Sequence, residues 1–311
     1  MTNNIVILGS INVDRILHIA QLPQPGETIK MTQLDLAAGG KGANQAVAAA
    51  RSGAATTFIG AVGTDAEGRM MHEQLVANGI NVDHVAQVAD MVTGQAYILL
   101  QAGGQNSIII NAGANALVSP ALVAQSEAVF EQADFVITQF ETPVAAALAA
   151  FDSARDHGVT TILNPAPASD QPQDDLLRLT DVIAPNETES ARLTGIKITD
   201  AASLTASAAY FHQRGVKAVI ITLGEQGSFL SYAGQEQRVP AFRVDAVDTT
   251  AAGDTFIGAM VSQLRPDLSN LVAAMTYASK ASALTVQKLG AFPSIPTEKA
   301  IQSFGQSAQQ R

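Results

Sequence analysis

The chain has 311 residues, 47% of them apolar, which is enough for one large core or two ordinary ones. Lys and Arg total 18 against 28 Asp and Glu, a net charge of −10, and no basic run offsets it, which argues against nucleic acid as a partner. Cysteine is absent, so disulfides and thiolate chemistry are excluded and a reducing compartment fits.

The MTNN start has no basic leader, and the apolar stretch 5–8 is too short for a signal core. No run approaches the roughly 18 apolar residues that span a membrane. A cytoplasmic protein with no membrane partner is expected, and the sequon Asn186-Glu187-Thr188 then carries no meaning. Apolar β-rich runs at 5–9, 56–60, 134–139, 160–164, 181–184 and 217–223 predict strands. Ser119-Pro120 predicts a capped helix start, and the Ala-rich stretches 144–157 and 203–214 predict helices. This alternation predicts an α/β fold, a parallel sheet with helices on both faces.

Two stretches break the rhythm. Residues 27–35 (ETIKMTQLD) alternate like a half-exposed strand, and residues 95–111 read as a hairpin turning at Gly103-Gly104. They predict a small separate antiparallel sheet whose Ile and Leu face covers a ligand or a partner subunit. No repeat or linker divides the chain, and the terminal QSAQQR is expected to fray.

Ligands of open α/β sheets collect beyond the carboxyl ends of strands. The run 5–9 is followed by Ser10, Asn12 and Asp14, and the run 134–139 by Glu141. Asn164 ends the next run, Asn186, Glu187 and Glu189 the next, and Gly224 to Gly227 the last. Each could be an ordinary cap or turn; together they set polar groups along one rim. In AAGGKGANQAVAAARSGA, residues 37–54, Gly39, Gly40 and Gly42 let the backbone approach a ligand, and Asn44 falls in the first turn of the helix that follows. A tight loop before a helix would read the same way. Lys41 is followed by Gly, so this is no Walker A loop, and no G-x-G-x-x-G follows the run 5–9.

VDTTAAGDTFIGAM, residues 247–260, places Ala251, Ala252 and Gly253 at a predicted helix start. Their amides and the helix dipole suit an anion, such as charge developing on a phosphoryl group. Asp254 beside them is either a proton acceptor for an attacking hydroxyl or a helix cap. Histidines 18, 72, 84, 157 and 212 show no metal-ligand spacing.

GGKGANQAVAAARSGA and DTTAAGDTFIGA resemble the two signatures of the ribokinase-like (PfkB) carbohydrate kinases. The order GSINVD, GGKGAN, NPAPA, PNETE, TLGEQG, AAGDTF and GAFPS is similar to that family across nearly the whole chain. The resemblance implies one kinase domain over 1–311, with segments of about 15–36 and 94–111 forming a β lid that also makes a homodimer. It implies ATP-dependent phosphorylation of a pentose on its primary hydroxyl, D-ribose first, with 2-deoxyribose, another sugar or a non-catalytic sugar sensor as alternatives. Asn12, Asp14, Gly40, Lys41, Gly42, Asn44 and Glu141 match the sugar-binding positions, and Asp254 the catalytic base. Ala251, Ala252 and Gly253 match the anion hole. Asn186 and Glu189 match a motif that arranges magnesium and phosphate, and Thr222, Gly224 and Gly227 a nucleotide-binding loop. Ser279 stands near the adenine where the family often has His. A monovalent cation, normally potassium, is implied at Asp248 and Ser294, with backbone positions Thr250, Thr285, Lys288 and Gly290.

Overall fold

The computed structural model describes residues 2–168 and 174–307. Strand β1 (Asn4–Leu8) is followed by β2 (Asn12–Ile19), β3 (Gln33–Gly39) and helix α1 (Lys41–Arg51). Next come β4 (Ala55–Gly63), α2 (Ala66–Ala77), β5 (Asn81–Val88), β6 (Gly94–Gln101), β7 (Asn106–Asn111) and α3 (Pro120–Gln125). Then β8 (Phe135–Thr138), α4 (Val144–Asp156), β9 (Thr160–Leu163), α5 (Asp174–Arg178), β10 (Val182–Ile183), α6 (Glu187–Thr194) and α7 (Ala201–His212) alternate. The chain closes with β11 (Ala218–Thr222), β12 (Ser228–Tyr232), β13 (Gln235–Val239), α8 (Ala252–Gln263), α9 (Leu271–Thr285) and α10 (Glu298–Ser307).

Nine strands form the main sheet in the order β13-β12-β11-β10-β9-β8-β1-β4-β5. All pair in parallel except β12 and β13, an antiparallel hairpin at one edge whose outer strand β13 is polar. Because successive strand residues face opposite sides, Ile5 and Ile7 enter one apolar core with α1, α8 and α9, while Val6 and Leu8 enter another with α4 and α7. Burial on both faces is why these strands read as continuous apolar runs. Ser119 caps α3 as expected, accepting from Leu122 N–H.

The second sheet has the order β3-β2-β6-β7. Its outer pairs are antiparallel as expected, and its central pair β2/β6 is parallel. The strand expected at 27–35 begins only at Gln33. Before it, Glu27 N–H donates to Gln24 O at 2.9 Å in a turn that contains Pro25, and the last backbone bond from β2 is His18 O accepting from Thr32 N–H at 2.8 Å. At the other end β3 runs on to Gly39, so the glycine loop shrinks to Gly40, whose φ of 93° suits glycine. Met31, Leu34, Leu36 and Ile108 to Ile110 are exposed apolar residues on and beside this sheet. Helix α10 extends to Ser307, into the expected frayed tail, and residues 308–311 lie outside the described residues. No described helix is long and apolar enough to cross a membrane.

Candidate active site

Strand order reverses between β1 and β8, the point at which an open α/β sheet offers a crevice beyond its strand ends. Ser10 leaves β1 there and Glu141 follows β8. Ser10 Oγ donates to Glu141 Oε2, which also accepts Lys41 N–H at 3.2 Å. Glu141 therefore sits at the positive N-terminus of α1. Gly42 allows that approach: a Cβ there would lie 2.6 Å from Ser10 N.

Asn12 and Asp14 project from β2 into the same region. Burial, then the nearby Glu141 and Asp254 carboxylates, push the Asp14 carboxyl up to about 7. Asn12 Oδ1 accepts from Asn115 Nδ2 at 2.8 Å, and Asn115 also bonds both backbone groups of Ile11. Sequence reasoning missed Asn115, a single Asn in a turn that carries no signal of its own.

Asp254 is the third residue of α8. The helix is capped by Ala251 in the left-handed conformation (φ 59°), so the capping alternative for Asp254 does not hold. Its carboxylate instead reaches α1: Asn44 Nδ2 donates to Oδ2 at 2.9 Å and Gln45 Nε2 to Oδ1 at 3.1 Å. Asn44 Oδ1 is buried with no partner among the described residues, as a ligand-facing acceptor would be. Of the three amides expected to cradle an anion, that of Ala252 closes a turn on Thr249 O at 3.2 Å. Gly253 N–H, an unpaired first-turn donor, has no partner among the described residues.

Two cavities meet here. The smaller, about 190 Å³, is lined by Lys41, Asn164, Asn186, Glu189 and residues 251–254. The larger, about 1030 Å³, is lined by Thr222, Gly224, Gly227, Phe242, Arg243 and Ser279 among others. Thr222, Thr249, Ala252 and Gly253 line both, so they form one continuous cleft. Burial works against the Lys41 charge, yet Asp254, Glu141 and Glu189 outweigh it and hold its pKa up. Lys41 shares the smaller cavity with Asn186, Glu189 and Asp254. Asn186 and Glu189 form a capping box on α6, each side chain bonding the other's backbone N–H at 2.8 Å. Burial raises the Glu189 pKa, the Asn186 N–H and Lys41 oppose it, and the net shift is upward.

Asp248 Oδ1 accepts from both the N–H and hydroxyl of Thr250, and Oδ2 accepts from Gly290 N–H at 2.9 Å. Burial would raise its pKa, but these bonds hold it below the usual carboxylate value. It is a turn residue that also pins the loop before α8 to the segment after α9. Thr285 and Ser294 are fully buried; their hydroxyls donate to Ala281 O and Ala291 O. No group of three or more His, Asp or Glu among the described residues could hold a metal ion.

A long cleft, an unpaired helix-start amide, a lysine and a buried carboxylate together suit phosphoryl transfer to an alcohol. Comparison with known proteins assigns the family: residues 2–298 match the pfkB family carbohydrate kinase, and the chain belongs to that family of phosphotransferases. It is 48% identical to a ribokinase of Staphylococcus aureus over 95% of this chain and 97% of that one. It is 50% identical to a bifunctional ribokinase/ribose-5-phosphate isomerase A of Fructilactobacillus sanfranciscensis over 96% of this chain, and spans 55% of that longer protein. A structure of Arabidopsis thaliana ribokinase complexed with ribose and ATP superposes with a TM-score of 0.91 at 35% identity, covering 98% of this chain and 99% of that one.

Proposed function

We propose that this chain transfers the γ-phosphoryl group of ATP to the primary hydroxyl of D-ribose. The observation that carries this is the Asp254 carboxylate, fixed by two amides at the edge of the same cavity as Gly253 N–H and Lys41.

The sugar lies between β2 and α1, its hydroxyls shared by Asn12, Asp14, Asn44, Glu141 and the backbone at Gly40 and Gly42. Paired carboxylates and amides suit a polyhydroxyl ligand, since polar groups left unmatched in a closed site are costly. ATP occupies the larger cavity, with its base near Ser279 and its phosphates running past Thr222, Gly224 and Gly227. Asp254 takes the hydroxyl proton as that oxygen attacks the γ-phosphorus; the bond to the β-phosphate oxygen breaks and ADP leaves with the electron pair. The Gly253 amide, at the end of the Ala251–Gly253 turn, and the Lys41 ammonium meet the charge on the transferring group.

Magnesium accompanying ATP would lie toward Asn186 and Glu189, whose oxygens suit a hard cation, and would neutralise phosphate charge. Potassium would be held by Asp248 and Ser294 with carbonyl oxygens around Thr250, Thr285, Lys288 and Gly290, an all-oxygen donor set. The chain then acts as one kinase domain whose second sheet is a lid excluding water. The exposed Ile and Leu of that sheet support pairing with a second copy. A cytoplasmic setting suits a cysteine-free consumer of ATP.

A coupled ADP-release assay over D-ribose, 2-deoxyribose and a hexose panel tests the reading. D-ribose should give the highest kcat/KM; no sugar-dependent ADP release with any of them would reject it.

A further inference from the structure

Gln45 lines neither cavity and is fully buried, one position after Asn44 on α1. Nevertheless all of its amide atoms are committed. Its Oε1 accepts from Gln139 Nε2 at 2.7 Å, and its Nε2 donates both to Asn164 Oδ1 at 3.0 Å and to Asp254 Oδ1 at 3.1 Å.

The polarity of this chain follows from one backbone group. A carbonyl can only accept, so Ala184 O requires Asn164 to present its Nδ2, at 3.0 Å. That turns Asn164 Oδ1 toward Gln45, which must then present its own amide nitrogen. The remaining hydrogen of that nitrogen falls on Asp254. Gln45 thus offers Asp254 a donor and cannot offer an acceptor. Gln139 holds the other end of the amide and is buried beside Gly9, where any Cβ would strike Gln139 Oε1.

We propose that Gln45 is a positioning residue for Asp254: it fixes the plane of the carboxylate and keeps Oδ1 an acceptor, so that the acid stands ready to receive the sugar's hydroxyl proton. Gln139 and Asn164 act one step further back by fixing Gln45. This rests on the assignment of Asp254 as the base.

The experiment is the pH profile of kcat for ADP release with ATP and D-ribose, in wild type, Gln45→Met, Gln139→Met and Asp254→Asn. Losing a hydrogen bond to a charged group should move the acid limb of the Gln45→Met profile up by about one pH unit. Turnover at neutral pH should fall about tenfold, with the KM for ATP within about twofold of wild type. Gln139→Met should shift the limb in the same direction by less. Folded Gln45→Met with the wild-type profile overturns the proposal while an inactive Asp254→Asn leaves the base assignment standing. If Gln45→Met does not fold, an unshifted Gln139→Met profile overturns it instead. Full turnover by Asp254→Asn removes the base assignment, and the role of Gln45 with it.

Discussion

Asn44 and Asp254 are hydrogen-bonded at 2.9 Å across 210 positions of sequence, and this bond joins the glycine loop to the helix that follows the alanine pair. It is possible because α1 and α8 pack backbone to backbone. Gly258 allows this: a Cβ there would stand 2.7 Å from Ala48 Cβ and 2.9 Å from Ala49 N.

Gly258→Ala should therefore act on stability and chemistry together. Neither neighbouring atom is the end of a flexible side chain, so the helices must part. Overpacking of this kind costs about 1–3 kcal/mol. Thermal unfolding should show a lower Tm, and the ADP-release assay a lower kcat, since Asp254 is drawn away from Asn44 and Gln45.

Gly253→Ala should separate the two effects. A Cβ at Gly253 would meet no protein atom within 4 Å, and the residue lies in the first turn of α8. Replacing a helical glycine by alanine gains up to about 1 kcal/mol, so Tm should hold or rise. If the phosphoryl group passes Gly253 as proposed, the added methyl group crowds it and kcat should fall by roughly tenfold or more. Equal turnover in both proteins would place the phosphoryl group elsewhere.

Asp14 gives a pH dependence with a definite sign. Its carboxyl stands near 7 when folded against 3.8 for an ordinary Asp, so between those values the folded state binds more protons. By linkage its contribution falls as pH rises through that window and is flat above it. Wild type should gain stability over Asp14→Asn by more than about 1 kcal/mol as pH is lowered from about 8 to about 5, measured by denaturant titration. A constant difference would place Asp14 in a better-solvated setting.

Asp248 is held ionised by Thr250 and Gly290, and these bonds anchor the loop that leads into α8, the helix carrying Asp254. Replacing potassium by tetramethylammonium should lower wild-type kcat by about tenfold, an ordinary size for coupling between two sites. Asp248→Asn should be slow in both buffers and show no stimulation by potassium. Identical wild-type rates in the two buffers would argue against a cation at Asp248 and Ser294.

The main sheet was legible because β1, β4 and β8 to β11 are buried on both faces and must be apolar throughout. The edge strand β13 (QEQRV) was not, since all but Val239 face water and nothing in it marks a strand. Residues 27–32 misled because alternation cannot report that a partner strand has run out. At the site, small residues at 251–253 and glycines at 40 and 42 have few other uses, so they stood out. Gln45, Gln139 and Asn115 did not: a lone amide side chain looks like surface filler, and its partners lie 94 or more positions away.

Asp254→Asn tests the account most directly. Turnover of ATP and D-ribose should fall roughly 10²- to 10⁴-fold, the usual contribution of a general base. ATP binding, followed by calorimetry, should stay within a few-fold of wild type. A variant that phosphorylates D-ribose at the wild-type rate would contradict the account, because a neutral amide cannot receive the hydroxyl proton.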